Sequence, residues 1–295
     1  MKIACVVDAR AQLGEGTIWD PAAGVLWWTD IYGLTIYRFD PVKGKRQSWP
    51  APEYLGCIGL RAAGGLVVTM ASGFHFFDPA SGAFTAIADP EPDLADTRFN
   101  DGKPDRFGHF WSGSMFEAPG KTPQKIASLY RLGSDGTVKK MLDGIGCSNG
   151  LAFSPDGRVL YFTDSLTHLV WAFDHAPEAG VITNRRVFVD LTERGYIVDG
   201  STVDASGNYW LTVPFKGKGV AAMLDVADRA GIQTGVASLL DRFGQIDILV
   251  NNAGIGVRAE DRATIEEFPE AAWDEVLAID LTGLFLVSRA VIKGM

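Results

Sequence analysis

Residues able to do chemistry are spread along the whole chain, with 36 Asp and Glu, four His and three Cys. Glu15 in the run LGEG, Asn149 in SNGL and Asp199 in VDGS each present a side-chain oxygen. Oxygen donors suit a hard cation such as calcium, magnesium or manganese, with zinc also accepted. The three lie 134 and 50 residues apart, so only a fold that brings distant segments together could make them one site. Read singly, Asn149-Gly150 and Asp199-Gly200 are equally good turn dipeptides. The thiols Cys5, Cys57 and Cys147 are odd in number and far apart. They form neither a disulfide framework nor a paired-cysteine metal site, which suggests a reducing compartment.

The elements that must position these residues are read from composition and pattern. The 295 residues are 47% hydrophobic and 21% charged, enough to bury a sizeable core without staples. The net charge of −9 and the absence of a Lys/Arg run argue against a nucleic-acid partner, which needs a basic stripe. The N-terminal apolar stretch is too short for a signal peptide, and no run approaches the roughly 18 apolar residues of a membrane helix. A soluble, cytoplasmic protein without a membrane partner is expected.

The chain changes character near residue 217. Residues 1–216 hold seven of the eight Trp, all seven Tyr and all four His, with a net charge of −4, against −5 for the remainder. In the first part a turn, a strand, one or two aromatics and a small polar residue recur, as in DPAAGVLWWTDI (20–31) and SPDGRVLYFTDS (154–165). Trp28, Val68, Trp111, Phe162 and Trp210 align at spacings of 40, 43, 51 and 48 residues. Further strands follow, as in TIYRFDP (35–41) and SLYRLGSDG (128–136). Periods of roughly 40–50 residues point to β-propeller blades, with an ordinary β-sandwich as the alternative.

LGEGTIWD (13–20), RFNDGKPDRFGHFWSGSM (98–115), CSNGLAFSPDGRVLYFTDS (147–165), NRR (184–186) and VDGSTVDASGNYWLTVP (198–214) resemble the regucalcin/gluconolactonase family, and in the family's order. The resemblance implies a six-bladed propeller with one divalent metal on its axis, and the opening of sugar lactones to aldonic acids. Carried over residue by residue, it gives Glu15, Asn149 and Asp199 as metal ligands and Arg98 and Asn100 as substrate contacts. Asp101 is a candidate for holding a second ion or a bound water. Glu117 lies one residue off a position where some relatives place an acid against substrate, and is given little weight. The implied mechanism is metal-assisted hydrolysis, the metal polarising the lactone carbonyl and Asp199 acting as both ligand and general base.

The second part resembles the short-chain dehydrogenase/reductase family from its third strand to its fifth helix. A helix is expected over 228–243, capped by Asp228, followed by the buried strand IDILVNN (246–252) and a long amphipathic helix over 268–292. NNAG (251–254) carries the resemblance, and Asp225 falls where that family's acid meets the adenine of the cofactor. The Gly-rich pyrophosphate loop is missing, and KGKG (216–219) does not replace it. No Tyr follows Tyr209, so the Tyr-xxx-Lys pair of the family is impossible, and Asp280 stands where the family has its catalytic Asn. No NAD(P) is expected to bind productively.

The expectation is therefore mainly β: an incomplete six-bladed-type propeller of about 4.5 blades over 1–216, then a partial Rossmann-like α/β segment, strand-helix-strand-helix, over 217–295. The function expected is hydrolase action on a small-molecule sugar lactone. A non-catalytic fusion remnant and an NAD(P)-dependent oxidoreductase remain as alternatives. An open arc of blades leaves strand edges uncovered, and the two parts have little to hold them together. Limited proteolysis should thus cut first between residues 215 and 225 and release the C-terminal segment; a protease-resistant chain melting in one sharp monomeric transition would show a single cooperative unit instead.

Overall fold

The repeated runs become antiparallel sheets, each built from strands consecutive in the chain. The computed structural model describes residues 5–194, 197–204, 207, 209–212, 229–243 and 268–292. Strands β1 (Gly14–Asp20), β2 (Val25–Asp30), β3 (Thr35–Asp40) and β4 (Lys45–Pro50) form the first sheet. The second contains β5 (Leu55–Leu60), β6 (Leu66–Met70), β7 (Gly73–Asp78) and β8 (Ala83–Ala88). The third contains β9 (Thr97–Pro104), β10 (Phe110–Phe116), β11 (Ala127–Leu132) and β12 (Val138–Ile145). The fourth contains β13 (Ser148–Phe153), β14 (Val159–Asp164), β15 (Leu169–Ala176) and β16 (Val181–Asp190), and β17 (Ser201–Val203) pairs with β18 (Tyr209–Leu211). The aligned residues Trp28, Val68, Trp111, Phe162 and Trp210 all fall on the second strand of their sheets. The period seen in the sequence is thus the sheet itself.

Apolar side chains fill wedges between successive sheets. Val25, Trp27 and Ile36 pack with Leu55, Val68 and Phe77. Val67 and Phe74 meet Phe99, Phe110 and Tyr130, and Trp111 and Leu129 meet Leu151, Phe162 and Trp171. Strands β6, β10 and β11 are buried along nearly their whole length, while the last strands β4, β8 and β16 are largely exposed. Because the apolar contacts lie between the sheets, the first strands remain free to carry polar groups where they converge.

The chain separates into two compact units, Cys5–Gly219 and, with the first four residues, Val220–Met295. In the second, α1 (Arg229–Phe243) matches the helix expected from the apolar spacing. The long helix expected over 268–292 is interrupted: α2 (Glu270–Val276) and α3 (Leu284–Val291) flank a π-helical stretch, Leu277–Gly283. Ile279, Thr282 and Gly283 are weak α-helix formers, and a π turn absorbs an extra residue where the α pattern is weakly held. Ile232 and Val236 of α1 pack with Leu286, Val287 and Val291 of α3. Asp225, the capping Asp228, the strand over 246–252, NNAG (251–254), KGKG (216–219) and the seam near 216–222 lie outside the described residues. No helix among the described residues is long and apolar enough to cross a membrane.

Two aspartates at the ends of second strands fix how the first strands begin. The Asp30 carboxylate accepts the N–H groups of Gln12 (2.9 Å), Leu13 (2.9 Å) and Gly33 (3.0 Å). Asp164 does the same for Gly146 (3.1 Å), Cys147 (3.0 Å) and Leu166 (3.2 Å). Burial pushes the Asp30 pKa upward, but the three N–H groups outweigh it and hold the carboxyl below its ordinary range. The stability this supplies is present above the ordinary carboxylate pKa and is lost as pH falls through the lowered one. Asp30→Ala should cost roughly 3 kcal/mol by orphaning these donors, lowering the melting temperature at pH 7 by about 5–10 °C, with the gap to the parent narrowing as the pH falls below the ordinary carboxylate range.

Candidate metal centre

Glu15 and Asn149 occupy equivalent places. Each is the second residue of the first strand of its sheet, and each pairs with a buried threonine on the next strand, Thr29 and Thr163. In both strands the register slips immediately afterwards, between Glu15 and Ile18 and between Asn149 and Ala152. The residue that follows is a glycine at φ 62°, Gly16 and Gly150. A bulge of this kind re-aims the side chain beside it. At Gly150 a Cβ would lie 2.8 Å from the Tyr209 hydroxyl and 2.9 Å from Thr163 Cγ2, so both the dihedral and the space demand glycine. Asp199 precedes β17 and is tied to the strand beyond it, its N–H donating to Thr212 O (2.9 Å).

These residues converge. Glu15, Asn100, Asp101, Asn149 and Asp199 line one cavity of about 50 Å³, with Gly16, Gly56 and Gly200 leaving space between them. A buried water needs about 10–15 Å³ by this measure, so the cavity has room for an ion with a few waters. Asn149 Nδ2 donates to Ser165 Oγ (2.9 Å), which donates to Val198 O (2.7 Å), linking the Asn149 amide to the residue before Asp199. Asn100 Nδ2 donates to Ser148 O (2.9 Å) and lies 3.3 Å from Asn149 Oδ1. The Asn100 amide nitrogen is thus occupied with holding Asn149.

The cavity is short of positive charge. Burial, then Asp199 and Asp101, push the Glu15 carboxyl up to about 7, against the opposing pull of Arg98. Burial also raises Asp101, although Leu151 N–H (3.1 Å) and Gly102 N–H (2.8 Å) donate to it, and burial raises Asp199. Cys57 is pushed by burial up to about 12 and Cys147 to about 11, so both remain thiols and offer no soft ligand or nucleophile. Among the described residues no three of His, Cys, Asp and Glu group as a ligand cluster. The set around the cavity instead combines carboxylates with amide oxygens, the chemistry of a hard cation, and its surplus of mutually destabilised carboxylates fits one.

Arg98, on β9, is buried. Its Nε donates to Glu117 and its Nη1 to Phe99 O (3.0 Å) and Asn100 Oδ1 (3.0 Å). The other oxygen of Glu117 accepts the Tyr32 hydroxyl (2.5 Å), and the guanidinium lies 5.9 Å from the Tyr32 ring centre. Glu117, given little weight as a substrate contact on its spacing, holds Arg98 here, and nothing in the sequence pointed to Tyr32. Asp30 and Asp164 were also missed, yet they hold the chain just before Glu15 and Asn149; the Thr-Asp pair recurring in WWTD and YFTD was the available signal.

Comparison with known proteins adds to this geometry. A family model described as SMP-30/Gluconolactonase/LRE-like region matches residues 13–230, and a short chain dehydrogenase model matches residues 212–295. Regucalcin from Oryctolagus cuniculus is 35% identical over 213 residues, covering 72% of this chain and 71% of its own. An L-arabinolactonase from Azospirillum brasilense is 34% identical over 261 residues, covering 85% and 84%. The crystal structure of a calcium-binding protein, regucalcin, from Agrobacterium tumefaciens superposes with a TM-score of 0.64 at 27% identity, covering 72% and 74%.

The raised Glu15 pKa has a consequence for the metal-free protein. A carboxyl raised on folding contributes stability that is fully present below its ordinary pKa near 4.5 and is lost as pH rises through about 7. Glu15→Gln in excess chelator should therefore melt about 2–5 °C above the parent at pH 8, with no difference at pH 4, as read by scanning fluorimetry.

Proposed function

The chain belongs to the SMP-30/gluconolactonase/LRE-like family, and from that premise we propose that it hydrolyses sugar lactones with the help of a single divalent cation. Residues 1–216 constitute the lactonase part, a truncated propeller of six-bladed type. Residues 217–295 are a short-chain dehydrogenase fragment that does not bind NAD(P) productively. The observation that carries the reading is a cavity lined by Glu15, Asn149 and Asp199 from separate parts of the chain and short of positive charge. The relatives named regucalcin and L-arabinolactonase support the substrate class.

Glu15, Asn149 and Asp199 would hold the cation through their oxygens, leaving further positions to water and substrate. When bound, it supplies Lewis-acid polarisation of the lactone carbonyl. Arg98 contacts sugar hydroxyls from a guanidinium held in place by Glu117 and Asn100. Asn100 takes part on the same side and steadies Asn149. Asp199 is half-buried, and burial favours its protonated form, so it can accept a proton from the attacking water. The water oxygen adds to the carbonyl carbon, the bond from that carbon to the ring oxygen breaks, the departing alkoxide takes the proton back from Asp199, and an aldonic acid is released.

Hydrolysis of glucono-1,5-lactone and of an arabinonolactone, followed by acid release, tests the reading. Excess chelator should abolish activity, and calcium, magnesium, manganese or zinc should restore it. Asp199→Ala should lower kcat at least about 100-fold and weaken metal binding in calorimetry. Full activity in chelator, or in Asp199→Ala, would overturn the mechanism; a folded, metal-binding chain with no hydrolysis would mark it as a non-catalytic remnant.

A further inference from the structure

Strand β9 carries four polar side chains within six residues, Arg98, Asn100, Asp101 and Lys103, of which Asn100 and Asp101 line the cavity. The last of the four has no part in the function described above. Lys103 is half-buried, and its Nζ donates to Ser201 O (2.8 Å), the residue that opens β17 two positions after Asp199. Burial lowers its pKa, and the Asp101 carboxylate acts to raise it again. Reciprocally, Lys103 opposes the rise of the Asp101 pKa. The hydrogen bond that fixes the ammonium group is to a carbonyl and not a carboxylate, so no carboxylate neutralises its charge by direct contact, and Asp101 is the cavity carboxylate that this charge opposes.

We propose that Lys103 is a resident cation of the metal centre, compensating Asp101 when no metal is bound and weakening the centre's hold on a divalent ion so that the ion stays exchangeable. The proposal rests on the metal reading above. Its physical basis is that one fixed positive charge acts in two opposite ways. Buried carboxylates without a counter-charge are costly, so the ammonium stabilises the empty centre. The same charge repels an incoming cation with an energy that scales with the product of the charges and is poorly screened away from water. It thereby relieves Asp101 of the need to recruit a second ion. A purely structural role has the opposite signature. Were Lys103 only a prop for the Ser201 backbone, its removal would loosen Asp199, and metal binding would weaken.

The sign of the change in affinity decides between the two. The full-length chain, freed of metal, is titrated with calcium chloride and with manganese chloride by calorimetry as wild type, Lys103→Met and Lys103→Arg. The expected result is a Kd at least fivefold lower in Lys103→Met and within twofold of wild type in Lys103→Arg. The metal-free melting temperature should fall in Lys103→Met and be retained in Lys103→Arg. Should the methionine variant fail to fold, Lys103→Gln removes the charge while keeping an N–H donor, and the same fivefold tightening is expected. Weaker or unchanged binding in the charge-removing variant, with normal binding by the wild type, overturns the proposal alone. No binding by the wild type overturns the metal reading and the proposal with it.

Discussion

Three carboxylates, Glu15, Asp101 and Asp199, share one small cavity, and the surrounding structure is organised to keep them there. Left to themselves, such groups would separate or take up protons. Two kinds of force oppose this. The apolar wedges between the sheets press the first strands together, but hydrophobic contact is non-directional and does not set which residues face one another. Direction comes from β9. Its Asn100 reaches Ser148, its Asp101 receives the Leu151 N–H, and its Lys103 reaches Ser201, so one strand ties the third sheet to the fourth and to the β17–β18 pair.

Repetition supplies the sockets, and substitution within the repeat supplies the chemistry. Glu15 and Asn149 share a bulge, a left-handed glycine, a threonine partner and an aspartate that holds the preceding backbone. Where the first sheet places a carboxylate, the fourth places an amide, so the two sheets deliver different ligand chemistry through the same backbone device. An approximately repeating scaffold thereby yields a centre that is not symmetric.

The sequence made the repeat legible because hairpin turns and strand aromatics are local signals; each aligned aromatic or valine lies on a second strand. It brought Glu15, Asn149 and Asp199 forward through motif resemblance, since nothing local separates them from turn residues. Contacts between residues far apart in the chain were not legible. Glu117 meets Arg98 across 19 positions and Tyr32 across 85, and the Lys103–Ser201 bond spans 98, so no window of neighbouring residues contains them. The π-helical stretch at Leu277–Gly283 was hidden for another reason: its apolar pattern is compatible with a continuous α-helix, and the extra residue per turn shows only in the backbone.

Gly56 stands second in β5, the place that Glu15 and Asn149 take in their own strands. A Cβ there would lie 2.7 Å from Thr69 Oγ1 and 2.9 Å from both Cβ and the carbonyl carbon of Phe99. Phe99 is itself wedged between the second and third sheets. Any side chain at this position must therefore dislodge part of the interior before it can face the cavity. The route to one more ligand from this strand is closed at its first mutational step, and change in the centre's chemistry is channelled into sockets already filled, where one polar group can replace another without disturbing the wedge.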